Sequence, residues 1–89
     1  MMTDLDRLLF ELIDAHPEWM VALSPEQIRM VELRRRGASL KEIAAEFDLT
    51  SSGIRLRLYG KGAGLRRGGG ILGYLRTQRN RERRNNQTA

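Results

Sequence analysis

Leu5, Leu8, Leu9, Leu12 and Ile13 recur three and four residues apart, the spacing that lines up one face of an α-helix. Asp4, Asp6, Arg7, Glu11 and Asp14 take the other face. The pattern predicts a helix from about Thr3 to Ala15, capped by Thr3 or Asp4 and stopped by Pro17. Its apolar stripe is either core or the face of a homodimer. The following segment carries Trp19, Met20 and Val21, with the tryptophan either a plug over the core or a binding platform.

Two further helices announce their own starts. In SPEQ, Ser24 is the cap, Pro25 sits where its missing N–H is harmless, and Gln27 completes a capping box. Ile28, Met30, Val31 and Leu33 supply the inward side. Arg34, Arg35 and Arg36 stand at the C-terminal end, suited either to the helix dipole or to phosphate, and Gly37 ends the helix in a left-handed conformation. SLKE repeats the device, with Ser39 as cap, Glu42 reaching back, and Leu40, Ile43, Ala44 and Phe47 as the buried stripe. Then Asp48 turns the chain, Leu49 anchors the turn in the core, and Thr50 or Ser51 caps a fourth helix from about Ser51 to Tyr59, ended by Gly60. Ile54 and Leu58 face inward, which leaves Ser51, Ser52, Arg55, Leu56 and Tyr59 pointing outward.

Two short helices joined by a tight turn, with small Ala44 in the first, form a helix-turn-helix over about residues 39–59. The stretch from Leu23 to Tyr59 resembles the helix-turn-helix of sigma-factor region four, of LuxR-type regulators and of the C-terminal domains of DNA invertases and resolvases. The resemblance rests on Leu23-Ser24-Pro25, Gly37, Ser39-Leu40, Glu42-Ile43-Ala44, Phe47, Leu49 and Ile54. It implies that Ile43, Phe47, Leu49 and Ile54 are core, and that Thr50, Ser51, Ser52, Arg55, Leu56 and Tyr59 stand at base- and phosphate-contacting positions. It also implies a bacterial or phage transcription regulator. Three positions depart from the pattern. Asp48 replaces the usual glycine, which puts an aspartate in an uncommon but tolerated conformation. Gly53 weakens the recognition helix by about 1 kcal/mol relative to alanine. Arg57 stands where an apolar residue is common.

Charge sharpens this picture. Residues 1–48 hold six Lys/Arg against ten Asp/Glu, a net of −4. Residues 49–89 hold ten Lys/Arg against Glu82 alone, a net of +9. Such a swing marks one end as built to meet a polyanion. A nine-residue helix is about 13 Å long and fits the major groove. Arg55 suits guanine O6/N7, Ser51 and Ser52 suit phosphate at the helix start, and Leu56 suits a thymine methyl or a partner protein. Arg57 and Lys61 suit phosphate.

The remainder reads as a Gly/Arg-rich basic extension over residues 61–89. Its first part, GKGAGLRRGGG, lacks the pattern of a nucleotide-binding loop, and Arg66 and Arg67 belong either to a basic linker or to a minor-groove arm. Ile71, Leu72, Tyr74 and Leu75 form one apolar turn able to dock on the core, and a short helix is expected at 71–84. Five arginines fall between Arg76 and Arg84. Arg76 and Arg79 are assigned to DNA phosphate, with specific RNA reading as the alternative.

The expected architecture is therefore all-α, a small helical bundle over residues 1–60 followed by the basic extension. The chain has 89 residues, room for one small domain. It has no cysteine and a single histidine, His16, so no thiolate or histidine-cluster metal site is expected, and neither is a cofactor. No stretch approaches the ~20 apolar residues of a membrane span, and the acidic start lacks signal-peptide character, so a cytoplasmic, nucleoid-associated protein is expected. Nothing in the residue pattern supports catalysis. The acids read as solvated helix faces beside cations. The expected partner is double-stranded DNA, bound by a monomer or a homodimer. The alternatives are RNA, bound through the arginine-rich segment, and RNA polymerase, bound through the acidic first helix and Leu56.

Overall fold

The computed structural model describes residues 3–60 and 70–88, with side chains through Arg84. These residues form five α-helices and one 3-10 segment, and no strand occurs among them. Helix α1 is Asp4–Ala15, α2 is Pro25–Arg35, α3 is Leu40–Phe47, α4 is Ser51–Tyr59 and α5 is Ile71–Thr88. The 3-10 segment, Pro17–Ala22, links α1 to α2.

Local chemistry sets each boundary. Thr3, Ser24 and Ser39 each close a capping box, with Asp6, Gln27 and Glu42 at the third helical position. Thr50 caps α4 by accepting from the Gly53 amide at 3.0 Å. After α2 the chain reverses at Gly37, whose φ of 96° suits a residue without Cβ. After α3 the left-handed position is Asp48, at φ 54° and ψ 44°, and the Leu49 amide reaches back to the Ala44 carbonyl at 2.9 Å. The turn therefore works without glycine, as aspartate tolerates this region.

The core is continuous. Leu9, Ile43, Ile54, Leu58, Ile71 and Leu75 are fully buried, with Met30, Val31 and Leu72 nearly so. Each such side chain contributes about 1.5–3 kcal/mol through loss of apolar surface to water. Helix α5 starts inside this core and packs against α1 and α4, so the core does not end at residue 60.

A close backbone approach fixes where α5 begins. A Cβ built on Gly70 would lie 2.2 Å from the Gly60 amide nitrogen, and one on Gly60 would lie 2.4 Å from the Leu56 carbonyl oxygen. Only glycine at both positions lets the end of α4 and the start of α5 touch. Ion pairs add ties at the surface, with Arg29 to Glu46 at 3.3 Å and Arg35 to Asp14 at 3.0 Å. Arg35 also lies over the Phe10 ring, 4.7 Å from its centroid.

Two expectations about packing are corrected. Leu5 does not join the α1 stripe and is 46% exposed, because the buried face is centred on Leu9, Phe10, Leu12 and Ile13. Leu49 does not anchor the turn in the core. It stands at the surface, and the turn is held by its backbone hydrogen bond instead.

Candidate nucleic-acid interface

Helix α4 presents two unlike sides. Ile54 and Leu58 pin it to the core, both fully buried. On the opposite side Ser51, Ser52, Arg55 and Leu56 are exposed, with Leu56 61% exposed. Thr50 is exposed just before them. Its Oγ1 accepts from Gly53, which leaves its hydroxyl proton free to donate. Among the described residues no hydrogen bond or ion pair engages the side chains of Ser51, Ser52, Arg55 or Arg57. Arg57 is exposed but flanks a separate cleft, of about 470 Å³, shared with Leu23, Gln27 and Met30 at the start of α2. It therefore lies on a different flank of α4 from Arg55.

Tyr59 is the main correction to the predicted set. It is half-buried, and its hydroxyl donates to the carboxylate of Asp6 instead of facing outward. Asp6 itself is 1% exposed, which corrects the reading of every acid as solvated surface. Arg34 completes the cluster. Its Nε donates to Asp6 Oδ1 at 3.2 Å and to the Tyr59 hydroxyl oxygen at 3.1 Å, and its Nη2 donates to Asp6 Oδ2 at 3.1 Å. Its Nη1 donates to the Ala38 carbonyl at 2.8 Å. Arg34 is thus unavailable to phosphate. Burial alone pushes the Asp6 carboxyl up, but hydrogen bonds from Tyr59, Arg34 and Thr3 outweigh burial and hold it at about 2. Burial, with the bond to Asp6, pushes the Tyr59 hydroxyl up to about 12. The Asp6 bond likewise raises Arg34 above its ordinary value. The cluster is a charged, fully bonded knot tying α1, α2 and the end of α4.

The remaining predicted residues divide. Lys61, Arg66 and Arg67 lie outside the described residues. Arg76 is exposed on α5. Arg79 is half-buried, and its Nε is enclosed without a hydrogen-bond partner among the described residues. Beside Arg76 lie two residues that were not predicted, Thr77 and Asn80. With Gly60 and Gly73 they line a cleft of about 350 Å³ between the last turn of α4 and α5. The spacing of 73, 76, 77 and 80 places them on one face of a helix, and that signal was present in the sequence.

His16 is tied into its surroundings. It caps the end of α1, stacks on Trp19 with ring centroids 3.8 Å apart, and places Nδ1 3.2 Å from Glu18 and 3.7 Å from Glu82. Among the described residues no group of three His, Cys, Asp or Glu side chains could hold a metal ion, and no helix is long and apolar enough to cross a membrane.

No protein-family model, curated protein or solved structure matches the chain.

Proposed function

We propose that the chain is a DNA-binding regulator in which α3 and α4 act as a helix-turn-helix and α4 reads the major groove. The observation that carries this reading is the exposed, unengaged row Ser51, Ser52, Arg55 and Leu56 on a helix whose other side is locked by Ile54 and Leu58. A helix held this firmly presents its outer side chains in one register, which direct readout of base edges requires. Arg55 offers a bidentate donor to guanine, Leu56 an apolar surface to a thymine methyl, and the two serines and Thr50 offer hydroxyls to phosphate. The net charge of +9 over residues 49–89 supplies non-specific affinity through counterion release.

Selection of preferred duplexes from a random pool, followed by fluorescence anisotropy on the winners, tests the reading. Arg55→Ala is expected to relax preference at one base pair by about 1–3 kcal/mol while leaving the others unchanged. Unchanged preference at every position would remove α4 as the reader. Hairpin RNA belongs in the same assay, because α5 carries five arginines on a helix that continues to Thr88. RNA bound more tightly than any duplex would favour the RNA reading.

A further inference from the structure

The cleft between α4 and α5 has a built character that its sequence, read as a basic tail, does not convey. Gly60 and Gly73 line it without bringing a side chain into it. Arg76 and Asn80, four residues apart, line it as exposed donors. Thr77 does not compete with them, since its hydroxyl donates to the Gly73 carbonyl at 2.9 Å. Arg83 follows on the same helix face, seven residues beyond Arg76 and therefore about 10 Å further along.

The acid of α5 stands away from the cleft. This acid, Glu82, is turned to the other flank, 3.7 Å from His16. Asp6, which accepts from the cleft residue Tyr59, is paired with Arg34. The cleft face therefore carries cations and no uncompensated anion among the described residues. Helix α5 is also fixed in place. Ile71, Leu72 and Leu75 root it in the core, and the Tyr74 hydroxyl reaches the Trp19 carbonyl at 3.4 Å. Donors on a fixed helix lose less freedom on binding than donors on a loose tail.

The position relative to α4 completes the case. Tyr59 lines the cleft, and Arg55 lies one helical turn before it on α4. Arg55 and the cleft residue Tyr59 thus stand on neighbouring positions of α4.

We infer that this cleft holds a stretch of DNA phosphodiester backbone, gripped by Arg76 and Asn80 and continued by Arg83, beside the base pairs that α4 reads. The inference rests on α4 as the reading helix. The cleft adds a second, sequence-blind contact that sets the angle at which α4 enters the groove.

The test compares two arginines of equal charge on different flanks of α5. Arg76 faces the cleft. Arg81 is exposed on the side of Tyr74 and Gln78. Binding of the full chain to its selected duplex is measured by anisotropy from 50 to 300 mM salt, roughly the range over which phosphate contacts dominate affinity. Arg76→Gln should weaken binding about tenfold and reduce the log–log salt slope by about 0.9, equally for all duplexes. Arg81→Gln should weaken it less than about twofold, and Asn80→Ala should fall between. Equal effects of Arg76→Gln and Arg81→Gln would overturn the cleft, since only net charge would matter, and would leave α4 as reader untouched. An Arg76 effect without any Arg55 effect would keep the cleft and remove the reader. Tighter binding to hairpin RNA with the same Arg76 dependence would overturn the DNA assignment. Absence of duplex binding at 50 mM salt would overturn cleft and reader together. Thermal unfolding of each variant separates lost contacts from lost fold.

Discussion

Arg34 and Arg55 are both arginines of short helices, and the fold uses them in opposite ways. Arg34 makes four hydrogen bonds inside a knot whose carboxylate, Asp6, is 1% exposed. Arg55 makes none among the described residues and stands at the surface of α4. The same helix meets both, because Tyr59, one turn after Arg55, belongs to the knot. One end of α4 is thus tied by buried charge while the other is left bare. The lesson is that an arginine is read by what surrounds it. A buried cation needs its partners and holds a fold together. An exposed one costs the fold little and remains available to a ligand.

Removing a partner from the knot is the largest expected effect. Asp6→Ala leaves the Arg34 guanidinium, whose side chain is 15% exposed, without its carboxylate, which costs about 3–5 kcal/mol. For a domain of this size that is a drop of well over 10 °C in Tm. Urea unfolding measures it directly. A loss under about 1 kcal/mol would mean that Arg34 re-solvates easily and the knot is ornamental.

Acid should act on the same point with a smaller effect. The folded Asp6 carboxyl, at about 2, holds its proton less tightly than the ordinary carboxyl at 3.8. Its contribution is therefore complete above pH ~4 and lost as pH falls through about 2, worth on the order of 2 kcal/mol. Unfolding between pH 5 and 2, compared with Asp6→Asn, isolates it from the other carboxylates. The variant should show a shallower acid slope, and identical slopes would contradict the pairing. Tyr59 has the opposite sign, since its hydroxyl is pushed up to about 12. Its contribution is whole below pH ~10 and disappears as pH rises through 12.

How much of this contrast the sequence discloses follows from the kind of force involved. Caps, turns and helix spans are local, and Ser24, Gly37, Ser39 and Thr50 act where their types predict. The all-helical architecture was legible for the same reason. The knot was not, because it joins residues 28 and 53 positions apart. One trace existed. Asp6 precedes Leu9, Phe10 and Ile13 by three, four and seven residues, which places it on the buried face of α1. An acid on a buried face calls for a cation, and nothing local says which arginine of the triple answers. The start of α5 was legible as an apolar turn, but not its depth in the core, which depends on the Gly60–Gly70 approach across the chain. The exposed row on α4 was readable from the burial of Ile54 and Leu58 alone. Tyr59 was misread because a position at the edge of that row turns inward once a buried acid is there to receive it.

Tyr59→Phe makes the smallest change and draws the line between the two regions most finely. It deletes one hydroxyl and leaves the ring. The Arg34–Asp6 pair survives through its 3.1 Å contact, so stability should fall by only about 1 kcal/mol. If the proposed reading holds and the knot merely fixes the end of α4, the variant should bind duplex DNA with an unchanged base preference, since Ile54 and Leu58 still set the register of the outer row. Selection on the variant and the parent, run beside thermal unfolding, reads both quantities. A stable variant that loses preference at one base pair would put the hydroxyl in contact with DNA, and the boundary between knot and reader would then fall after Tyr59. A variant that loses stability while keeping its preference would place that boundary between Arg55 and Tyr59, one turn of helix apart.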